Sequence, residues 1–297
     1  MSISGCIRYQ MLTCVCLTIG GVASAVELQD IRATVQRNLE RIESVHVITH
    51  QWGTGFSPPQ EEIHTLRHEW AIDRDGRFRS ATSPSRELEA EREEFAGPLW
   101  YESQKTFDGE EGRGLWWTED GENDQGVIFN EDMVQEEYGF SKSRSLFGRG
   151  IGWLVRHRSL VDWLDKPEVT IEGEKTIDGK RCVVVFASRS GGPPSRIRLY
   201  LSIDHGFALK RYQYWFPGRE EVHQTANFHQ FEEVEPGLWL PFKGVFSTYS
   251  RTYESKNRTG FEVQELSINK PLSNELFETE FREGLPVTDY RNRERVE

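Results

Sequence analysis

Three histidine pairs stand at even spacing in segments that read as strands. His46 and His50 are four apart, as are His64 and His68, and His223 and His229 are six apart. Residues an even number apart on a strand share a face, so each pair could present two imidazoles together, the beginning of a metal site. The remainder of such a site is missing. No Asp or Glu recurs at a metal-ligand spacing with any pair, and no H-E-x-x-H motif occurs. His68 stands among Leu66, Trp70 and Ile72, where a partly buried, hydrogen-bonded imidazole is the expected role. No metal and no cofactor is expected.

The other chemical candidates are as sparse. There are 48 Asp and Glu residues, but glycosidase chemistry needs two carboxylates held across a cleft. Glu93-Glu94 and Glu110-Glu111 are chain neighbours in loop-like segments, which reads as solvated surface. No G-x-S-x-G motif is present, and Cys182 lies in a β-branched run, where a thiol packs as a small apolar group. Gly148-Arg149-Gly150-Ile151-Gly152 is the nearest thing to a phosphate loop, and no convincing strand precedes it. No catalytic residue is assigned, and the chain reads as a non-enzyme. A hydrolase would have to draw on the histidine pairs.

What positions these residues begins after an export signal. Arg8 is the only charge among the first 25 residues, Met11–Val22 is apolar, and Ala23-Ser24-Ala25 supplies the small residues of a cleavage site. Cleavage before Val26 is expected, with delivery to the periplasm or cell envelope. The apolar stretch is shorter than the roughly 20 residues a membrane helix needs, so no stable membrane span is expected. Cleavage leaves 272 of 297 residues and one cysteine, Cys182, so no disulfide framework forms. Losing Arg8 takes the net charge from −12 to −13. Such a chain repels nucleic acid and anionic membrane surfaces at long range.

The mature chain opens with an amphipathic helix in which Leu28, Ile31, Val35, Leu39 and Ile42 form one stripe ending near Ser44. A β-branched strand follows over Val45–Trp52, then a hairpin across Asp73-Arg74-Asp75-Gly76. Residues 84–148 read as a variable acidic insertion carrying Glu87, Glu89, Glu91, Glu93 and Glu94, with one hairpin at Asp108-Gly109. A second helix is expected over about 151–165, stopped by Pro167. From residue 168 the chain reads as antiparallel strands with short connections, among them Arg196–Ile203, where Ile197, Leu199, Leu201 and Ile203 share a face. A slip of apolar phase between Val263 and Leu266 predicts a bulge. The expected fold is mainly β (α+β), one curled antiparallel sheet forming a half-open β-barrel with helices on its concave face. That domain spans 26–290, and 291–297 form a tail.

The second half carries a family resemblance. Asp178-Gly179-Lys180-Arg181-Cys182-Val183-Val184-Val185 resembles the strand entering the second half of LolA/LolB-like proteins, the outer-membrane lipoprotein carriers and their relatives. Arg198-Leu199-Tyr200-Leu201 with Asp204-His205-Gly206-Phe207-Ala208-Leu209-Lys210-Arg211 is similar to their paired-strand hairpin. Gly237-Leu238-Trp239-Leu240-Pro241, and the closing segment Leu266-Ser267-Ile268-Asn269 through Phe281-Arg282-Glu283-Gly284, are similar to later parts. The resemblance covers 28–55 and 168–288, and the chain is longer than a minimal carrier between 84 and 150. It implies a half-open barrel whose apolar interior takes acyl chains.

Three functions follow as expectations. The first is an exported, non-enzymatic envelope protein holding a lipid, or the acyl chain of a lipoprotein, in an apolar cavity lined by Trp70, Trp153, Leu154, Val161, Leu199 and Leu201. The second is a periplasmic sensory or regulatory domain of the same fold that binds an envelope protein through the acidic 84–135 region. The third is the hydrolase. The first fails, as an open-cavity protein, if the interior is filled by side chains.

Overall fold

The computed structural model describes residues 26–53, 64–84, 102–117, 124–129, 146–152, 155, 158–188, 196–249 and 256–291. Residues 1–25, most of 84–148, Trp153 and Leu154 lie outside them. Fourteen strands are described: β1 (Ser44–Gly53), β2 (His64–Asp73), β3 (Phe78–Pro84), β4 (Glu102–Phe107), β5 (Gly112–Trp117), β6 (Gln125–Phe129), β7 (Thr170–Ile177), β8 (Lys180–Ser188), β9 (Arg196–Ser202), β10 (Ala208–Trp215), β11 (Gln224–Glu235), β12 (Leu238–Tyr249), β13 (Lys256–Ile268) and β14 (Val287–Asp289). They form one curled, unclosed sheet in the order β14-β6-β5-β4-β3-β2-β1-β13-β12-β11-β10-β9-β8-β7. Two antiparallel meanders are therefore joined edge to edge by the pairing of β1 with β13. The expected bulge is present there, where the register slips between Ile48 and Thr49 and skips Gln264. One pairing departs from the antiparallel reading, because β14 runs parallel to β6.

Alternation sorts each strand into two faces. The inner face carries Val45, Val47, Trp70, Ile72, Phe78, Leu199, Leu201, Tyr212, Phe228, Phe246 and Phe261, all buried in one core. Among the described residues three α-helices lie against it: α1 (Leu28–Glu40), α2 (Leu146–Gly150) and α3 (Leu160–Leu164). The α1 stripe docks Ile31 and Val35, which are 0% and 4% exposed. The helix stops at Glu40, short of Ser44. Its link to β1 is held by Asn269, whose amide nitrogen donates to the Arg41 carbonyl at 2.7 Å and whose oxygen accepts from the Glu43 amide at 2.7 Å.

Of the single helix expected over 151–165, only Leu160–Leu164 is helical among the described residues. α2 ends at Gly150, and Gly152 beyond it has φ +86°, a left-handed conformation that stops its winding from continuing. The Gly152 carbonyl accepts from the Leu160 amide at 2.8 Å, and Val155 bridges Arg158. Ser159 then starts α3 with a capping box, its hydroxyl accepting from the Asp162 amide at 3.0 Å while the Asp162 carboxylate accepts from the Ser159 amide at 3.1 Å. Ser159→Ala should cost about 1 kcal/mol, read as a lower urea midpoint at unchanged slope. An unaltered midpoint would show that α3 is held by packing alone.

The outer face of the first meander is covered by the chain's own end. Residues 274–291 cross β3–β6, burying Phe277 beneath the Arg77 guanidinium at 4.6 Å. Thr279 bonds Gln104 and Thr106 at 2.7 Å each. The Phe281 ring packs so closely on Gly126 that a Cβ there would meet it at 2.8 Å.

Candidate functional site

An apolar cleft opens where α1 meets the ends of two hairpins. Val35, Leu39 and Ile42 face it from the α1 segment, Phe207 and Leu209 from the β9–β10 hairpin, and Leu238, Trp239, Leu240 and Pro241 from the β11–β12 hairpin. Ile151, following α2, and Leu160, opening α3, complete the wall. The turns set this geometry. Gly206 has φ +58°, and a side chain there would press on the Gly237 carbonyl at 3.3 Å, so glycine lets the two hairpins touch.

The cleft is nearly closed. Its free volume is about 30 Å³, room for a water molecule or two. Ligand pockets for drug-sized molecules begin at about 300 Å³. Polar contacts fasten α1 over it. The Asn38 amide donates to the Gly206 carbonyl at 3.1 Å, and Arg41 pairs with Glu235 at 3.1 Å. Arg32 Nε donates to the Leu164 carbonyl at 2.5 Å and lies 3.5 Å from the Asp165 carboxylate, tying α1 to α3. Trp239 packs at a tilt on His205, which also stacks on Phe231, at ring-centroid distances of 4.7 and 5.0 Å. The His205 imidazole also meets the Ser202 hydroxyl at 3.2 Å. Burial, then the positive charge of Lys180, lowers its pKa. Ser202 is 0% exposed, so this Ser–His pair has no access to a substrate.

Of the residues expected to line a cavity, Trp70, Leu199 and Leu201 are each 0% exposed in the core, and Val161 is partly buried against it. None of the four lines the cleft, although Leu201 pairs directly with Leu209, which does. Trp153 and Leu154 lie outside the described residues. The sequence signal for the lining of this cleft was the pair of apolar runs entering β10 and β12, Phe207–Leu209 and Leu238–Pro241.

The described histidine side chains do not converge. His46 and His50 lie on the outer face, where His46 Nε2 meets a Glu69 carboxylate oxygen at 2.8 Å. That bond, ahead of nearby arginine charge, pulls the Glu69 pKa down to about 2. His68 points inward, 6% exposed, bonded to the Ser80 hydroxyl at 3.2 Å. Burial lowers its pKa to about 4. His229 lies 3.4 Å from Asp178, itself paired at 2.9 Å with the buried Lys210, which pins the β7–β8 turn to the bulge of β10. Cys182 packs with Ile177, Val184 and Tyr200, and burial pushes its thiol up to about 11. Among the described residues no group of three His, Cys, Asp or Glu side chains could hold a metal ion, and no helix is long and apolar enough to cross a membrane.

No protein-family model matches the chain, and no curated protein matches it. Solved structures similar to it include a domain described as an outer-membrane lipoprotein-sorting protein from Vibrio parahaemolyticus, 8% identical, with 84% of this chain and 97% of that one aligned at a TM-score of 0.48. A DUF1329 family protein from Desulfovibrio piger is 14% identical over 84% and 97% of the two chains, with a TM-score of 0.46. A LolA superfamily protein from Nitrosomonas europaea is 10% identical over 86% and 99%, also at 0.46. The likeness is one of fold outline, and nothing about ligand, partner or activity follows from it.

Proposed function

We propose that this chain is an exported, non-enzymatic envelope protein that seats an acyl chain, of a lipid or of a lipoprotein, between α1 and the inner face of its half-barrel. The structure is then its closed form. The observation that supports this reading is the apolar cleft beneath a helix fastened by a few polar bonds. In this reading residues 26–290 are one half-barrel domain, with 84–148 a variable insertion in it.

Among the described residues the interior is filled by side chains, so the expectation of a preformed open cavity is not met, and in this reading an acyl chain enters only if α1 moves outward. Magnitudes allow that exchange. Exposing the stripe costs roughly 1.5–3 kcal/mol for each of the buried Ile31, Val35 and Ile42, and less for the partly buried Leu28 and Leu39. An acyl chain of about fourteen methylenes returns on the order of 11 kcal/mol at about 0.8 kcal/mol each.

Breaking the Arg32 bond to α3 with Arg32→Ala should lower the barrier by about 1 kcal/mol, raising uptake of a fluorescent fatty acid about fivefold. Leu39→Arg should abolish uptake in protein of unchanged circular dichroism. The filled interior also favours a second reading, a regulatory domain of the same fold that binds an envelope protein. Folded protein that takes up no acyl probe, with Arg32 intact or replaced, would replace the first reading by that one.

A further inference from the structure

Among the described residues, the two halves of the sheet's outer face are finished differently. Over the first meander, arginines hold the extended C-terminal segment. Arg77 covers the Phe277 ring, Arg79 and Arg113 donate to the carbonyls of Leu276 and Thr279, and Arg113 lies 5.7 Å from the centre of the Phe281 ring. That segment is acidic, with Glu275, Glu278, Glu280 and Glu283 against one arginine, Arg282.

The second meander displays the same arginine–aromatic chemistry. One row across its outer face runs Phe186, Arg198, Gln213, Thr225, Ser247, Arg258. The next runs Val184, Tyr200, Arg211, Asn227, Val245, Gly260, Trp52. Neither row contains an acidic residue, in a chain whose net charge is −12. Arg198 lies 5.5 Å from the Trp215 ring centre, Arg211 5.7 Å from Tyr200 and Arg258 5.9 Å from Trp52. Stacking preorganises the guanidinium planes for bidentate bonds to carboxylates. The chain shows one such bond in place. Glu172, from the bulge of β7, takes Arg198 through both oxygens at 2.5 and 2.9 Å.

We propose that these rows are a docking surface for an extended, acidic, aromatic-bearing segment of a partner protein, the chemistry that the chain's own residues 274–283 present to the other half. The surface lies on the face opposite the cleft and does not depend on the acyl reading.

The test is fluorescence anisotropy with a labelled peptide of sequence SNELFETEFREG, residues 273–284, against the mature protein. Saturable binding that weakens as salt rises is expected. Arg196 stands two residues before Arg198 on the same face of β9, 5.9 Å from the Trp215 ring centre. The triple variant Arg196→Glu, Arg211→Glu, Arg258→Glu should weaken binding by about tenfold or more, and the milder Arg211→Gln measurably, at unchanged melting temperature. Arg113→Gln, at the occupied half, and Trp239→Ala, in the cleft, should leave it unaltered. Absence of binding, equal binding by the triple variant, or sensitivity to Arg113→Gln would overturn the proposal. Flotation with phosphatidylglycerol vesicles in place of peptide binding would reassign the surface to an anionic membrane.

Discussion

Gly244→Ala should destabilise the fold by about 3 kcal/mol through overpacking alone. Gly244 lies on β12 with Phe228 directly across on β11 and Phe261 directly across on β13. Both rings are 0% exposed. A methyl group at Gly244 would come within 2.3 Å of Phe261 and 3.0 Å of Phe228, and a buried ring has nowhere to retreat in a close-packed interior. For a chain of this size the loss corresponds to a fall of roughly 6–12 °C in Tm. Combining the substitution with Phe261→Leu should recover part of the loss, because the two changes share one clash. Strict additivity of the two would show that Gly244 is not the space this ring needs.

Acidification should remove stability in two successive windows. His68 is uncharged in the fold because burial lowers its pKa from 6.5 to about 4. Between those values the unfolded chain binds a proton that the folded chain refuses, so stability falls as pH drops from 6.5 towards 4, by at most about 3 kcal/mol. His205 and His229, also lowered by burial, act in the same direction. Glu69 governs the lower window. Its pKa is depressed from 4.5 to about 2 by the His46 bond, so its contribution is complete above 4.5 and lost as pH falls towards 2. In His68→Gln the fall between pH 6.5 and 4 should shrink while the one below 4.5 remains. Urea midpoints across pH 7.5 to 3 separate the two. An unchanged slope above pH 4 in His68→Gln would assign the upper window to other groups.

Strand periodicity made most of the sheet legible from sequence. The alternation of Ile197, Leu199 and Leu201 set the face of β9, and the phase slip near Val263 located the β13 bulge. Local pattern could not give the partners of distant segments. The pairing of β1 with β13 joins residues more than 200 apart, and the strap over β3–β6 depends on Thr279 meeting Thr106, 173 residues away. The helix expected over 151–165 shrank to Leu160–Leu164 because winding starts only at the Ser159 cap, while Val155 and Arg158 upstream pair as a bridge, a local arrangement that an apolar stripe does not reveal. The candidate site was the least legible part. Leu199 and Leu201 were correctly placed on the apolar face, but a face that packs on helices and a face that lines a cleft carry the same pattern. Only the meeting of two turns, at Gly206 and Gly237, separates them.

The most direct measurement is native mass spectrometry, with lipid extraction, of the protein expressed with export and purified without detergent. The expected result is a bound acyl lipid in a fraction of molecules, increased in Arg32→Ala and lost in folded Leu39→Arg. An empty protein in all three cases, which also excludes a fluorescent fatty acid, would contradict the seating of an acyl chain beneath α1.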